Sequence, residues 1–295
     1  MHYRKQWIMF VAAAGLGLSA AGCGTEEGSA DSSDSSNVTR QTSALVIAPG
    51  TESYVWVQMG SGGAKALDIG CGPRVAKGVW IIGKDGDLGL GDWPAFYWNG
   101  SNDFVRDGGR YGTNIDVAAT NDPWLTDSLN GQVWEHTGLG VTGWTSRGPG
   151  AKIGTGAYGG VWRITNYHLS RWNGSSWDAP INGSGGINAL VALDVDPTGY
   201  AWAVDASGGL WMMNSSTSYS QVQAPPLNDI GIGATYGSVY AISREPAAGG
   251  NYVLYHQVGT NTWKKTDGSG VRVSVDFTTG KPWVVSADGI VYAAR

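Results

Sequence analysis

Two carboxylates two residues apart, Asp194 and Asp196 in "ALDVDPTG", are the first side chains here whose type and spacing suggest chemistry. Acids flanking a sugar bond are the machinery of glycoside hydrolysis. With Thr198, Gly199 and Asp205 the same acids imitate a calcium loop, although Asp205 fills the last ligand position, where that loop takes Glu. Asp85, Asp87 and Asp92 in "KDGDLGLGDW" form a second acidic set, inside a Gly-rich insertion. Gly154, Gly156 and Gly159 spell G-x-G-x-x-G, the spacing of a dinucleotide-binding turn. His136, His168 and His256 are the histidines that follow residue 23, and Cys71 is the one cysteine that follows it. G-x-S-x-G, H-E-x-x-H and Cys/His metal spacing are all absent.

The elements that must carry these residues change their meaning. A dinucleotide turn needs a helix to start at the glycines, because its free N–H groups hold the pyrophosphate. Here "GGVWRI" follows, and Val161, Trp162 and Ile164 favour strand. The stretch "KIGTGAYGGVWRI" returns as "DIGIGATYGSVYAI" from Asp229 to Ile242, with one residue inserted, so the glycines belong to a repeat. "VDPTG" likewise returns as "VDFTTG" at Val275 to Gly280, which makes Asp196 a repeat residue too.

The repeat runs through most of the chain. Trp80, Trp124, Trp162, Trp202, Tyr240 and Trp283 are spaced 38 to 44 residues apart. A second series, Trp98, Trp134, Trp172, Trp211, Tyr255 and Tyr292, is spaced 36 to 44 apart. Before each first-series aromatic lies an alternating segment such as "NIDVAAT" or "RVSVDFTTG", which reads as a strand. Between the second and third strands lie "DSLNGQVW", "DASGGLW" and "SADGIVY", whose Asn-Gly, Gly-Gly and Asp-Gly pairs suit tight hairpins. Fourth strands are expected near Trp144, Trp177 and Trp263. Periods of about 40 residues with four strands each are the signature of a propeller. The expected fold is all-β, a six-bladed β-propeller of about four antiparallel strands per blade, over residues 52–295. The last unit ends after its third strand, so the orphan "YVWVQ", Tyr54 to Gln58, is expected to join the C-terminal blade and close the ring.

The N-terminus reads differently. Residues 1–22 form a signal peptide, with Arg4 and Lys5 before the apolar "WIMFVAAAGLGL" and "SAAGC" leading to Cys23. This resembles the bacterial lipoprotein box, which implies lipidation of Cys23 and a membrane anchor. Gly24 does not match the acidic inner-membrane retention signal, so the outer membrane of the bacterial envelope is the expected location. Residues 23–51 are rich in Ser and acid and are expected to be a flexible tether with a mean reach of ~30 Å. If Cys23 carries lipid, Cys71 has no disulfide partner; it aligns with Val117, Thr155, Val195, Ile232 and Val275 as a small buried residue. A net charge of -5 excludes a basic surface for nucleic acid. No cofactor and no metal are implied.

The pattern K/D-I-G-x-G-A-(x)-Y-G-x-V-W/Y-x-I, followed by "SRWNGSSW" from Ser170 to Trp177, resembles the tectonin repeat of tectonins and tachylectin-1-like lectins. The resemblance covers residues 54 to 295 and is clearest in the third and fifth units. It implies glycan or lipopolysaccharide binding without catalysis. An interaction platform for an envelope protein is the alternative, and a carbohydrate-active enzyme the third reading. Most tryptophans sit at repeat-fixed positions and read as packing between blades. Ligand candidates are aromatics that turns place beside an amide or cation, since a flat apolar face stacks on a sugar while polar groups read its hydroxyls. Tyr158 and Tyr236 occupy equivalent turns. Arg110, Tyr111 and Asn114 are expected in a loop between blades, and Trp98 with Asn99 and Trp172 with Asn173 at strand ends.

Overall fold

The computed structural model describes residues 38–40, 44–61, 63–73, 77–85, 91–137, 143–181, 189–215, 218–235 and 237–295. These form six sheets, antiparallel apart from two added edge strands, the blades of a β-propeller. The only helix among the described residues is the single 3-10 turn Ala248–Gly250. Cys23 and Tyr236 lie outside the described residues, as do the other residues of the signal and of the tether up to residue 37.

Blade 1 runs from the inner strand Ala66–Cys71 through Val79–Gly83 and Trp93–Trp98 to the outer strand Phe104–Gly112. The inner strands of blades 2 to 6 are Asn114–Val117, Lys152–Thr155, Leu190–Val195, Leu227–Ile232 and Arg272–Val275. Each packs against the next, and blade 6 returns to blade 1, so they line a closed central channel. The ring is closed as the repeat count requires: Trp56–Met59 pairs antiparallel with Val291–Ala294 and supplies the fourth strand of blade 6. Among the described residues blade 3 has three strands, and after His168–Arg171 these residues add the bridges Leu169 to Ile181 and Trp172 to Trp177 where a fourth strand would be.

Two blades carry an extra strand. Val46–Glu52, read from composition as tether up to residue 51, pairs parallel with Thr262–Gly270 at the edge of blade 5. Val38–Arg40 pairs parallel with Tyr219–Val222 of blade 4. Both segments contain β-branched residues, and an open sheet edge offers them unpaired N–H and C=O groups.

The first aromatic series fills the contacts between blades. Trp80, Trp124, Trp162, Trp202, Tyr240 and Trp283 are all buried in second strands. Buried indole N–H groups need acceptors. Trp162 donates to the Gly199 carbonyl of the next blade and Trp263 to the Gln223 carbonyl of the previous one, both at 2.9 Å. Trp134, Trp202 and Trp211 donate to Asp127, Asp196 and Asp205. Those three carboxylates also accept N–H bonds within their own hairpin turns. Asp196 and Asp205 are therefore turn residues that orient a tryptophan.

The alternating strand segments have a second use at the channel wall. Asp116 of blade 2 accepts from Thr155 N of blade 3 at 2.6 Å, and Asp194 of blade 4 accepts from Ile232 N of blade 5 at 2.6 Å. In the same column Ser274 of blade 6 accepts from Cys71 N of blade 1 at 3.0 Å. Blades 1, 3 and 5 carry Gly70, Gly154 and Gly231 in this column. A Cβ added there would lie 2.4, 3.2 and 2.9 Å from the Cα atoms of Asp116, Asp194 and Ser274 respectively. In this column the six repeats thus form three close pairs, and one side-chain-to-backbone bond spans each junction between pairs. This is what the G-x-G-x-x-G stretch encodes: Gly154 admits the neighbouring backbone, and Gly159 turns the chain at φ +86°.

Candidate functional site

Because inner strands run in one direction and neighbours in a blade alternate, the propeller has two faces. The first residues of the inner strands, Asn114 and Lys152 among them, open on one face. The turns after the inner strands, such as that of Tyr158, open on the other, with the hairpins that follow the third strands.

The structure separates the ligand candidates between these faces. Tyr158 is 74% exposed at the tip of its turn. Trp98 is half-buried, edge-on to Phe104 and Trp283, with centroids 5.3 and 6.5 Å away. Trp172 is half-buried against Trp124 and Trp177. Asn99 and Asn173 occupy equivalent hairpins, and each Oδ1 accepts backbone N–H groups: Ser101, Asn102 and Asp103 on Asn99, Ser175 and Ser176 on Asn173. Their amide oxygens are thereby engaged in building the turns. Arg110 and Tyr111 are not in an inter-blade loop; both lie within the outer strand of blade 1, which continues to Gly112. The Arg110 guanidinium sits 3.3 Å from the centroid of Trp134, and the Tyr111 hydroxyl accepts from Arg106 Nη2 at 2.6 Å. Asn114 alone reaches the channel mouth. Its Nδ2 donates to Asp68 at 2.6 Å, and its Oδ1 accepts from Ile153 N at 2.7 Å.

An open groove of about 400 Å³ lies between blades 5 and 6 on the channel-mouth face. The closing strand supplies Trp56 and the adjacent third strand of blade 6 supplies Tyr292, diagonal neighbours on one face of that blade. Asn251, Asp267, Ser269 and Asp288 provide the polar lining. Trp56 is held in place. Its Nε1 donates to Asp267 Oδ1 at 2.9 Å, and Gly268 leaves room for the indole, since a Cβ there would come within 2.2 Å of it. Hydrogen bonds from Ser286 Oγ, at 2.5 Å, hold the Asp288 carboxyl below its usual range. Of this groove only Tyr292 stood out in the sequence, as a repeat aromatic and not as a ligand candidate, because the lining joins the N-terminal strand to blades 5 and 6. The prediction that residues 54–58 close the last blade was the signal that would have found Trp56.

Beside the groove the N-terminal segment is clamped by a mixed cluster. Glu52 Oε2 lies 2.8 Å from His256 Nδ1, and His256 Nε2 lies 2.6 Å from the Gly237 carbonyl. Tyr54 donates to Glu52 Oε1 at 2.6 Å, and the Tyr240 ring stacks on His256 at 4.3 Å. Burial raises the Glu52 carboxyl, but the bonds from Tyr54 and His256 outweigh it and hold the group below its ordinary value. Both oxygens of this acid and both ring nitrogens of this imidazole are engaged in bridging residue 52 to blade 5. His136 packs between Trp80 and Trp144. Burial pushes the Cys71 thiol well up, which suppresses the thiolate.

At the channel mouth, the residues three before Cys71 in the repeat alignment form a ring: Asp68, Asn114, Lys152, Ala192, Asp229 and Arg272. Of these only Asn114 was recognised from sequence, although aligning the six repeats on the Cys71 column gives the others directly. Below them, burial pushes the Asp116 carboxyl up to about 7 against the opposing pull of its Thr155 and Val117 N–H bonds. Asp194 is raised further by burial and by the Asp116 charge.

Comparison with known proteins supports the fold. No protein-family model matches the chain, and no curated protein matches it in sequence. Solved structures do match. YCF48 bound to D1 peptide superposes with a TM-score of 0.55 at 12% identity, over 85% of this chain and 99% of that one. A catalytically inactive virginiamycin B lyase from Staphylococcus aureus with quinupristin gives 0.53 at 12% identity, over 81% and 98%. A gluconolactonase-like propeller gives 0.58 at 9% identity, over 85% and 93%. At these identities the likeness is one of fold.

Proposed function

We propose that this propeller is a non-catalytic carbohydrate-binding module of the tectonin type, recognising lipopolysaccharide or another cell-surface glycan. The observation that carries the reading is the groove between blades 5 and 6. Sugars are bound where an aromatic ring packs on the apolar face of a pyranose and nearby amides, carboxylates and hydroxyls pair its equatorial O–H groups. Trp56 and Tyr292 supply the rings, and Asn251, Asp267, Ser269 and Asp288 supply the polar partners. The absence of catalysis is part of the proposal. Asp196 and Asp205 bond to turn N–H groups, Asp116 and Asp194 to the next blade, and Glu52 with His256 clamps the N-terminal segment.

We further infer that Cys23 is lipidated and holds the module at the outer membrane. A surface anchor would let weak individual contacts add up on a dense glycan layer. No helix among the described residues is long and apolar enough to cross a membrane.

The test is binding of the chain to an array of bacterial polysaccharides and methylated glycans, with Tyr292→Ala and Asp288→Asn as site variants. Selective binding that falls at least about tenfold in both variants, with melting unchanged, is the expected result. A folded protein that captures no glycan would refute the reading and bring the envelope-protein platform forward.

A further inference from the structure

The channel mouth is a second site, with a chemistry unlike that of the groove. A cavity of about 150 Å³ opens there, about five times the share of one water in the liquid. Its wall changes character around the ring. Blades 5, 6, 1, 2 and 3 contribute Asp229, Arg272, Asp68, Asn114 and Lys152, whereas blade 4 contributes only Val191, Ala192 and Leu193.

The charges are not equally engaged. Asp68 is saturated, accepting from Asn114 Nδ2 and Ile115 N and lying 3.4 Å from Arg272 Nε. Arg272 also donates Nη1 to the Val271 carbonyl. The Lys152 ammonium makes no hydrogen bond or ion pair with a described residue, and it acts on Asp229 only across space. Asp229 spends one oxygen on Val273 N at 2.9 Å. Burial pushes its carboxyl up to about 6 against the attraction of Arg272 and, less strongly, of Lys152. Lys152 stands on blade 3 and Asp229 on blade 5, and the small Ala192 of blade 4 leaves the space between them open.

We propose that the channel mouth binds a small free α-amino acid, its carboxylate on the Lys152 ammonium, its ammonium on the Asp229 carboxylate and its side chain against Val191 and Leu193. Other ligands fit less well. The four ionic side chains of the mouth sum to zero, so neither an anion nor a cation alone is balanced, and the described residues hold no cluster of three metal-ligating groups. A neutral sugar would leave the Lys152 ammonium without a counter-charge in a half-buried site. A zwitterion engages both Lys152 and Asp229 at once, and the cavity has room for a short side chain.

Calorimetric titration of the full chain with alanine, propionate and ethylamine tests this, since the last two lack only the amine or only the carboxylate. Alanine is expected to bind at least about tenfold more tightly than either analogue. Lys152→Met and Asp229→Asn are each expected to weaken alanine binding by about tenfold or more. The Asn amide oxygen can still accept from Val273 N, and Met matches the length of Lys, so melting should not change. Equal affinity for alanine and propionate, or no binding of any of the three at tens of millimolar, overturns the proposal. If a variant melts low, the analogue series on the unsubstituted chain decides alone.

Discussion

Gly70→Ala probes the pairing of blades directly. An added Cβ would sit 2.4 Å from Asp116 Cα, 2.8 Å from its carbonyl carbon and 3.0 Å from Val117 N. All three are backbone atoms, which cannot swing aside. Ordinary carbon contacts lie at about 3.5–4.0 Å, so blades 1 and 2 must part by roughly 1 Å. That movement takes the Asp68 to Ile115 N bond, now 2.8 Å, out of hydrogen-bonding range. Overpacking costs about 1–3 kcal/mol and a lost bond to a charged acceptor about 1.5–3, so the substitution should destabilise by about 2.5–6 kcal/mol. At roughly 2–4 °C per kcal/mol for a chain of this size, melting falls by about 5–24 °C. The other two pairs give a graded series. Gly231→Ala, with Ser274 Cα at 2.9 Å, should cost less, and Gly154→Ala, with its nearest backbone atom at 3.2 Å, less again. Gly63→Ala is the control, since its nearest neighbour is the Ser61 hydroxyl at 3.6 Å; loss of unfolded-state freedom should leave it neutral or about 0.4–1 kcal/mol more stable. Urea unfolding followed by tryptophan fluorescence reads all four. A Gly70→Ala protein that unfolds with the control would refute the close-pair account.

Two further predictions concern the channel and the closure. Because folding raises the Asp116 carboxyl to about 7, the native state holds a proton that the unfolded chain releases near pH 4, so stability is higher in acid and falls as pH rises from about 4 to 7. This one group contributes a slope of about 1.4 kcal/mol per pH unit at most; Asp116→Asn should reduce the pH dependence of the urea midpoint between pH 5 and 7, the raised Asp194 and Asp229 carboxyls keeping the rest, and parallel curves would exclude this group as a contributor. Deleting residues up to Val57 removes both the Val46–Glu52 strand and half of the closing strand, including the Ala294 and Ala293 partners Trp56 and Val57. Melting should drop sharply; an unchanged transition would show that the ring does not depend on its N-terminal closure.

The ring was legible because its determinants are periodic: a buried aromatic on the second strand and an alternating inner strand recur six times, glycine-containing turns follow in most units, and each blade must bury the same faces. The sugar candidates were less legible, for a physical reason. Asn99 and Asn173 carry groups that suit a ligand, yet the same amide oxygens suit a backbone turn, and position at a strand end favours the nearer donors. Trp98 and Trp172 end third strands where an adjacent blade covers part of the ring, which no local pattern reports. Arg110 and Tyr111 follow a Gly-Gly pair that reads as a loop, but the outer strand of blade 1 passes through it and lays Arg110 on Trp134 of the next blade. The channel mouth was legible in principle. Its residues lie about 40 positions apart and share nothing until the six repeats are stacked, after which a column that reads Asp, Asn, Lys, Ala, Asp, Arg stands out against columns of Ile and Val. A repeat protein keeps its scaffold in the positions that agree between copies. The positions where copies disagree while facing a common space are where a ring of near-identical blades can acquire a ligand of its own.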